Sequence, residues 1–219
     1  MLLLIAIGLA APAAGQTVTD ERVWTTFTAQ GRLGSSSSAW RWTSDSLVRS
    51  RDGARTMDFV AERVLVSRDL TRNSSAGIGY AYGAGFPDEG STVREHRFVQ
   101  QYVWSGWART LSLKSRVEER FIDGNSGMLV RVRQQVRVCW PVGNGRRLEI
   151  VASEEVLVHA NSTVRSSRGF DSNRLFAGIR RAVATRGSVE IGYGNLYTRL
   201  GQGRHRRSHV LSATYGVTF

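Results

Sequence analysis

The last eleven residues, HVLSATYGVTF (209–219), alternate strictly between two kinds of side chain. One side carries the larger apolar residues, which are Leu211, Ala213, Tyr215, Val217 and Phe219. The other side carries small or polar residues, which are Val210, Ser212, Thr214, Gly216 and Thr218. A period of two is typical of a β-strand whose two faces meet different surroundings. Core and water would satisfy this pattern in a soluble sheet, and lipid and lumen would satisfy it in a membrane barrel.

The same alternation recurs along the chain between short turn signals such as PDEGS, DGNSG and VGNGR. Gly, Asn, Asp and Ser supply the positive φ angles and side-chain caps that hairpins need. Strands joined by tight hairpins, without helical crossovers, form an antiparallel meander. The pattern predicts strands at Val23–Leu33, Ser38–Ser50, Met57–Leu70, Ala76–Phe86, Val93–Trp104, Arg109–Phe121, Gly127–Trp140, Arg147–Ala160, Phe170–Ala184, Ser188–Leu200 and Ser208–Phe219.

The composition of the two faces favours a barrel over a soluble sheet. In Gly127–Trp140 a valine face opposes a face that carries Arg131, Arg133 and Arg137. In Ala76–Phe86 an isoleucine and aromatic face opposes one made almost entirely of glycine. Water on a sheet surface does not require glycine, whereas in a narrow barrel the missing side chains leave room for long arginines from other strands.

The predicted fold class is therefore all-β, an antiparallel up-and-down transmembrane β-barrel with a lumen filled by Arg and Glu side chains. Lipid offers no hydrogen-bond partners, so strands cross it only as closed barrels, with about 9–11 residues per crossing. Bacterial single-chain barrels have an even number of strands. Because the sequence shows eleven candidates, we predict twelve strands, with ten as the alternative. Ser38–Ser50 and Met57–Leu70 are the least regular candidates, since their two faces are blurred by the charged residues Arg41, Asp45, Arg49, Glu62 and Arg63.

The first fifteen residues, MLLLIAIGLAAPAAG, form an apolar run that ends in small residues. The run is too short to span a bilayer and predicts a secretory signal peptide cleaved near Ala14 or Gly15. No Lys or Arg precedes it, which leaves the true start codon open. Residues 16–219 are then predicted to form one barrel domain, exported to a bacterial outer membrane.

The net charge of +12 is carried almost entirely by arginine, and Lys114 is the one lysine. Such a charge first suggests nucleic acid. Export and the even spread of the arginines argue against that partner and favour lipid phosphate, or carboxylates of the same protein. The single Cys139 excludes an internal disulfide and offers no metal cluster, so no cofactor and no metal are predicted.

Alternation assigns a set of charged and polar residues to the lumen. They are Glu95, Arg97, Gln101, Arg116, Glu118, Arg120, Arg131, Arg133, Arg137, Glu155, Arg174 and Glu190. Arginine pairs with carboxylate in two-point geometry, so these residues either fill the barrel with a polar core or line a narrow pore that favours anions. Of the neighbours Glu154 and Glu155, one points inward unless a bulge intervenes.

Two kinds of surface signal complete the pattern. Counting back from a periplasmic C-terminus places the segments NSTVRSSRGF and LGQGRHRRSH on the outer side, as ordinary solvated loops or as contacts to lipopolysaccharide phosphates. The arginines of the second interpretation are Arg165, Arg168, Arg204, Arg206 and Arg207. The final aromatic strand predicts a signal for the barrel assembly machinery, carried by Tyr215, Val217 and Phe219.

The mature chain resembles a family of bacterial outer-membrane proteins known as domain of unknown function 2490. The resemblance is strongest from Ile78 to Phe219, and the order of its short blocks is more specific than any one of them. They are GIGYAYG, REHRFVQQYVW, LSLKSRVEERFIDG, LVRVRQQVRV, SEEVLVHA, FDSNRLFAGI, VEIGYGNLYTR and HVLSATYGVTF. The resemblance implies a single-chain barrel in a Gram-negative outer membrane, and it implies no activity.

The function that follows is an outer-membrane barrel of unknown specific role, either a narrow anion-leaning pore or a structural barrel. One alternative is a lipid-modifying hydrolase, for which His159, with Ser153 and Glu155 on the same face, is the candidate site. The other alternative is a soluble exported β-barrel lipid carrier. Substrate, enzymatic activity and oligomeric state are left open by the sequence.

Overall fold

In the computed structural model, which describes residues 17–106, 110–143, 147–201 and 203–219, eleven strands follow one another along the chain. Each consists largely of alternating residues of the kind that favours extended backbone, and the connections 33–39, 52–55, 86–92, 123–128 and 160–168 contain Gly, Ser or Asp, as turns require. The strands are β1 Thr17–Arg32, β2 Trp40–Arg51, β3 Thr56–Thr71, β4 Ser74–Gly85, β5 Val93–Gly106, β6 Leu111–Ile122, β7 Leu129–Val142, β8 Leu148–His159, β9 Gly169–Ala182, β10 Gly187–Gly201 and β11 Arg204–Thr218.

The strands close into one barrel in which every sequential pair is antiparallel and β1 pairs with β11 in parallel. An up-and-down meander with an odd number of strands begins and ends in the same direction, so its closing pair must be parallel. That pair satisfies both sheet edges with regular hydrogen bonds. The prediction of twelve strands, with ten as the alternative, is therefore wrong: the described residues form eleven, and each of the eleven candidates overlaps one of them.

The parallel closing pair also explains where the strand boundaries differ most from prediction. β1 begins at Thr17 rather than Val23, and β11 begins at Arg204 rather than Ser208. The two early segments hydrogen-bond to each other from Thr17 opposite His205 onward. Both segments are rich in charged residues and lie outside the predicted strands. Their pairing joins opposite ends of the chain, so the local sequence pattern does not predict it.

The barrel has two rims. The C-terminal rim is the one where β1 and β11 both end, and the opposite rim is the one where both begin. The C-terminal rim includes connections 33–39, 72–73 and 183–186. The opposite rim includes connections 52–55, 86–92, 123–128 and 160–168.

The outer face of the barrel is apolar and exposed. Ile78, Trp140 and Leu211 leave 71%, 64% and 55% of their surface uncovered, whereas the inward Val210 leaves 2%. The predicted alternation of the final strand is thereby confirmed. Outward aromatic residues gather towards both rims. Trp40, Trp42, Trp104, Trp140 and Phe219 lie towards the C-terminal rim, and Tyr82, Phe121, Phe170 and Tyr197 lie towards the opposite rim, while Tyr80, Phe98 and Tyr193 lie nearer the middle of their strands.

The inner face mixes charge with buried apolar residues such as Leu65, Val99, Leu129 and Leu157. Glycines make room for this filling, although phenylalanine rings rather than arginines lie against them. A Cβ on Gly83 would lie 2.6 Å from Cζ of Phe59. Among the described residues, no helix is both long enough and apolar enough to cross a bilayer.

Candidate functional site

A buried carboxylate on β6 is the centre of the lumen network. Glu118 lies opposite Arg131 of β7 in register, and the Arg131 Nε and Nη2 atoms donate to its Oε2 at 2.9 and 2.5 Å. Arg133 Nη1 donates to the other oxygen, Oε1, at 2.8 Å. Both oxygens of one carboxylate are thus occupied by two guanidinium groups from the neighbouring strand.

Arg133 extends the network to β8. Its Nε and Nη2 atoms lie 3.0 and 2.7 Å from Oε1 of Glu155, which also receives Arg174 Nη1 at 3.4 Å on Oε2. Glu155 is buried in the lumen, whereas Glu154 points outward and accepts from Asn173 Nδ2 at 2.9 Å. The uncertainty about the facing of this pair is thereby resolved in favour of Glu155.

The other predicted lumen residues form smaller groups. Glu95 pairs with Arg97 at 2.6 Å and also with Arg120. Arg116 Nη2 donates to Gln101 at 2.6 Å. Strand register places every predicted lumen residue on the inner face, and all of them make a polar contact there. Arg137 completes the set by pairing with Glu190.

Further ion pairs in the barrel were not assigned from sequence. Arg22 bridges Asp20 and Asp58 with both distances at 2.6 Å. Arg63 pairs with Asp45, and Arg180 Nε donates to Glu149 at 2.6 Å. Asp20 and Arg22 lie before the predicted start of β1, so no strand pattern assigned them, whereas the alternation of β2 and β3 is the signal that could have found Asp45 and Arg63. It is blurred because outward-facing Glu62 and inward-facing Leu47 and Leu65 mix the two faces.

A group of unpaired donors lies beside this network. The guanidinium carbon of Arg49 lies 4.3 Å from the ring centre of Trp24 and 5.2 Å from that of Phe59. No carboxylate of the described residues comes within ion-pair distance of Arg49. The Nε atoms of Arg49, Arg97 and Arg174, and Nε1 of Trp24, are buried without a hydrogen-bond partner in the described part of the chain.

Two cavities adjoin these charges. A cavity of about 200 Å³ in the lumen is lined by Trp24, Arg137, Glu155, Arg174 and Glu190, among others. A wider cavity of about 470 Å³ lies at the opposite rim, where Asp20, Arg22, Arg51, Asp58 and Arg206 contribute to its wall. The lumen is therefore not completely filled.

The five arginines assigned to outer loops do not all lie in loops. Arg165 and Arg168 lie in the 160–168 connection, and the Arg168 amide donates to Ser162 Oγ at 2.9 Å. Arg204, Arg206 and Arg207 belong to β11. Register turns Arg206 inward, opposite Thr198, while Arg207 is outward and exposed. Arg206 therefore belongs to the mouth of the lumen rather than to the outer surface.

The residues of the hydrolase hypothesis do not form a catalytic pair. Ser153 and His159 share the inner face of β8, but six residues of strand separate them by about 20 Å. His159 instead lies beside Asp171, with Nε2 3.6 Å from Oδ2, and its Nδ1 lies 3.3 Å from the Ser167 carbonyl oxygen. No cluster of His, Cys, Asp and Glu suited to a metal occurs within the residues described.

Three glutamates interrupt the apolar outer face near the middle of their strands. Glu62 accepts from Ser44 Oγ at 2.6 Å and also from Ser46. Glu119 accepts from Gln100 Nε2 at 3.2 Å, and Glu154 accepts from Asn173. Each outward carboxylate is therefore supplied with a polar neighbour on an adjacent strand.

These features define a class, a closed β-barrel with an apolar outer face and an ion-paired, arginine-rich lumen. Residues 21–207 match the family described as Protein of unknown function (DUF2490), and the chain belongs to that family. An uncharacterized protein of Methylorubrum extorquens is 26% identical over 225 residues, which cover 100% of this chain and 95% of that protein. The structure of a KdgM porin superposes with a TM-score of 0.47 and 10% identity, covering 77% of this chain and 81% of that one.

Proposed function

We propose that this protein is exported through its N-terminal signal peptide and inserted in a bacterial outer membrane, where it forms a narrow passage that favours anions. The predicted signal peptide covers residues 1–15, which lie outside the described part of the chain. The proposal therefore rests on the surface of the barrel for its location, and on the charge of the lumen for its role.

The outer surface supports a membrane location. A band of exposed apolar side chains surrounds the barrel, and aromatic residues gather towards both rims, as in barrels whose two ends meet lipid headgroups. The strands have 12 to 16 residues, which exceeds the roughly 9–11 that a tilted strand needs to cross the hydrocarbon layer. A soluble carrier of lipid would need the reverse arrangement, with a polar outside and an apolar lumen.

The observation that carries the anion preference is Arg49, a lumen guanidinium held by two aromatic rings instead of a carboxylate. Around it, Arg97 and Arg174 each have a buried nitrogen without an acceptor. Uncompensated positive charge in a narrow, low-dielectric passage attracts anions and repels cations.

The membrane location implies two partners. Arg165, Arg168 and Arg207 lie at or near the opposite rim, where guanidinium groups suit the phosphates of lipopolysaccharide. The outward Tyr215 and Phe219 stack on Phe27 and Trp42 at centroid distances of 5.9 Å, and they are the proposed signal for the assembly machinery.

Conductance of the folded barrel in planar bilayers, under a potassium chloride gradient, tests the function. We expect steady current with a reversal potential on the anion side, weakened by Arg49→Gln and by Arg131→Ala with Arg133→Ala. Absence of current from a barrel shown to be folded would reject the open passage and indicate that the ion pairs only stabilise the barrel interior.

A further inference from the structure

We propose that the lumen contains a binding site for an oxyanion group, formed by Arg49, Arg97, Arg174 and Trp24. This inference rests on the proposed function, because an anion can reach the site only if the lumen is open to water. The ligand chemistry is a compact group with several anionic oxygens, such as phosphate, sulfate or a carboxylate carried by a solute.

The first support is the kind of polar atom that is left without a partner. The buried unpaired nitrogens of Arg49, Arg97 and Arg174 are N–H donors, and so is the unpaired Nε1 of Trp24. The three arginines lie close together, because Arg49 shares the Trp24 ring with Arg174 and the Phe59 ring with Arg97. The guanidinium carbons of Arg49 and Arg174 lie 4.3 and 5.4 Å from the Trp24 ring centre, and those of Arg49 and Arg97 lie 5.2 and 5.4 Å from the Phe59 ring centre. An acceptor with several oxygens would satisfy them together.

The second support is charge. Arg97 shares Glu95 with Arg120, and Arg174 shares Glu155 with Arg133, so neither has a carboxylate to itself. Arg49 has none among the residues described. A buried guanidinium without a counterion is expensive, because desolvation is not repaid by an opposite charge. A bound anion would supply that charge.

The third support is preorganisation and space. Trp24 and Phe59 both lie at cation–π distance from Arg49, which holds the planar guanidinium without neutralising it. A cavity of about 200 Å³ adjoins the cluster on the side of Trp24 and Arg174, which line it together with Arg137, Glu155 and Glu190, and it has room for a small oxyanion group. Gly83 permits this arrangement, since a side chain there would displace the Phe59 ring.

Titration calorimetry with inorganic phosphate tests the site on the full barrel folded in a zwitterionic detergent. We expect saturable binding that Arg49→Gln weakens by about 10- to 100-fold, the range for losing a charge-assisted contact. Arg180→Gln is the matched control, because it removes the same charge from a lumen arginine that has its own partner, Glu149. That variant should bind phosphate as the parent does. Electrophoretic mobility of unboiled samples verifies that each variant is folded.

Separate titrations with sulfate, acetate and chloride identify the ligand chemistry. Binding of phosphate and sulfate with no saturable chloride binding would support an oxyanion site, and a preference for acetate would assign it to carboxylate solutes. Equal weakening by Arg49→Gln and Arg180→Gln would overturn the site in favour of general lumen charge, as would absence of saturable binding. Saturable binding by a barrel that is silent in bilayers would retain the site and reject the passage. Conductance without saturable binding would retain the passage and reject the oxyanion site.

Discussion

Arg131 and Glu118 face each other across the β6–β7 pair, and two nitrogens of the guanidinium lie 2.9 and 2.5 Å from the same carboxylate oxygen. Both residues are buried in the lumen. Because Glu118 also receives Arg133 and lies 3.6 Å from Arg116 Nη1, its carboxylate compensates three guanidinium groups at once. Together with Glu155, which pairs with Arg133 and Arg174, it supplies the negative charge of the central network.

Glu118→Gln should destabilise the barrel strongly. Removing the carboxylate leaves Arg131 and Arg133 partly uncompensated in a buried setting, at a cost of about 3–5 kcal/mol in the free energy of unfolding. Urea unfolding of the detergent-folded protein, followed by tryptophan fluorescence, measures the loss. Glu149→Gln is the control, because its partner Arg180 is 39% exposed and the expected loss is about 0–1 kcal/mol. Equal losses would show that the central network does not stabilise the fold.

Two glycines on the inner face of β4 should respond differently to alanine. A Cβ at Gly79 would lie 2.3 Å from the Val64 carbonyl oxygen, which is backbone and cannot move freely. The same atom at Gly85 would meet nothing closer than 3.7 Å. We expect Gly79→Ala to cost about 1–3 kcal/mol in unfolding free energy and Gly85→Ala to cost little. Similar losses in a paired denaturation series would mean that β4 is sensitive to any side chain.

Glu62→Leu should stabilise the barrel in lipid vesicles. If the outer face meets hydrocarbon, an exposed carboxylate near the middle of β3 is costly, and its removal should contribute about 1–2 kcal/mol. Val64→Glu, two residues along on the same face, should have the opposite effect. Both are read from denaturant unfolding of vesicle-inserted protein. Destabilisation by Glu62→Leu would instead indicate that this part of the outer face is covered by protein or water.

Cys139 is a natural probe of the lumen, since register places it on the inner face opposite Val151 and it carries a free thiol. Positive lumen charge should make a negatively charged thiosulfonate react with it roughly 10-fold faster than a positively charged one. Arg137→Gln should lower that ratio. The rates are followed by mass spectrometry on vesicle-inserted protein. As a control, Val132→Cys in a Cys139→Ser background places the thiol on the lipid side and should resist both reagents. Equal rates at Cys139 would contradict the anion preference.

Much of the fold follows from local pattern. The alternation in HVLSATYGVTF places Leu211 outside and Val210 inside, as the structure has it. The eleven candidate strands each overlap an observed strand, because apolar periodicity and turn residues are local properties. The step from eleven to twelve fails because it applies a regularity of other barrels in place of the count that the sequence itself supplies.

The candidate site, like the fold, could be predicted from the sequence only in part. Glu118, Arg131 and Arg133 can be assigned to the lumen from parity, whereas the choice between Glu154 and Glu155 needs the register of β8 with β7 and β9. Arg49 cannot be assigned from parity, because β2 has mixed faces and the character of this arginine depends on Trp24 and Phe59 from two other strands. The inward turn of Arg206 likewise depends on Thr198 of β10.

The sequence by itself determined that this chain forms alternating strands in an antiparallel meander, which side chains share a face, and that arginine exceeds carboxylate. Those are consequences of residue order and of the two-residue period of extended backbone. Only the tertiary structure decided that β1 and β11 close the barrel in parallel, which arginines have carboxylate partners, and that Arg49 has aromatic rings instead. Partners on different strands depend on register and closure, and these are set by hydrogen bonds between segments that lie far apart in the chain.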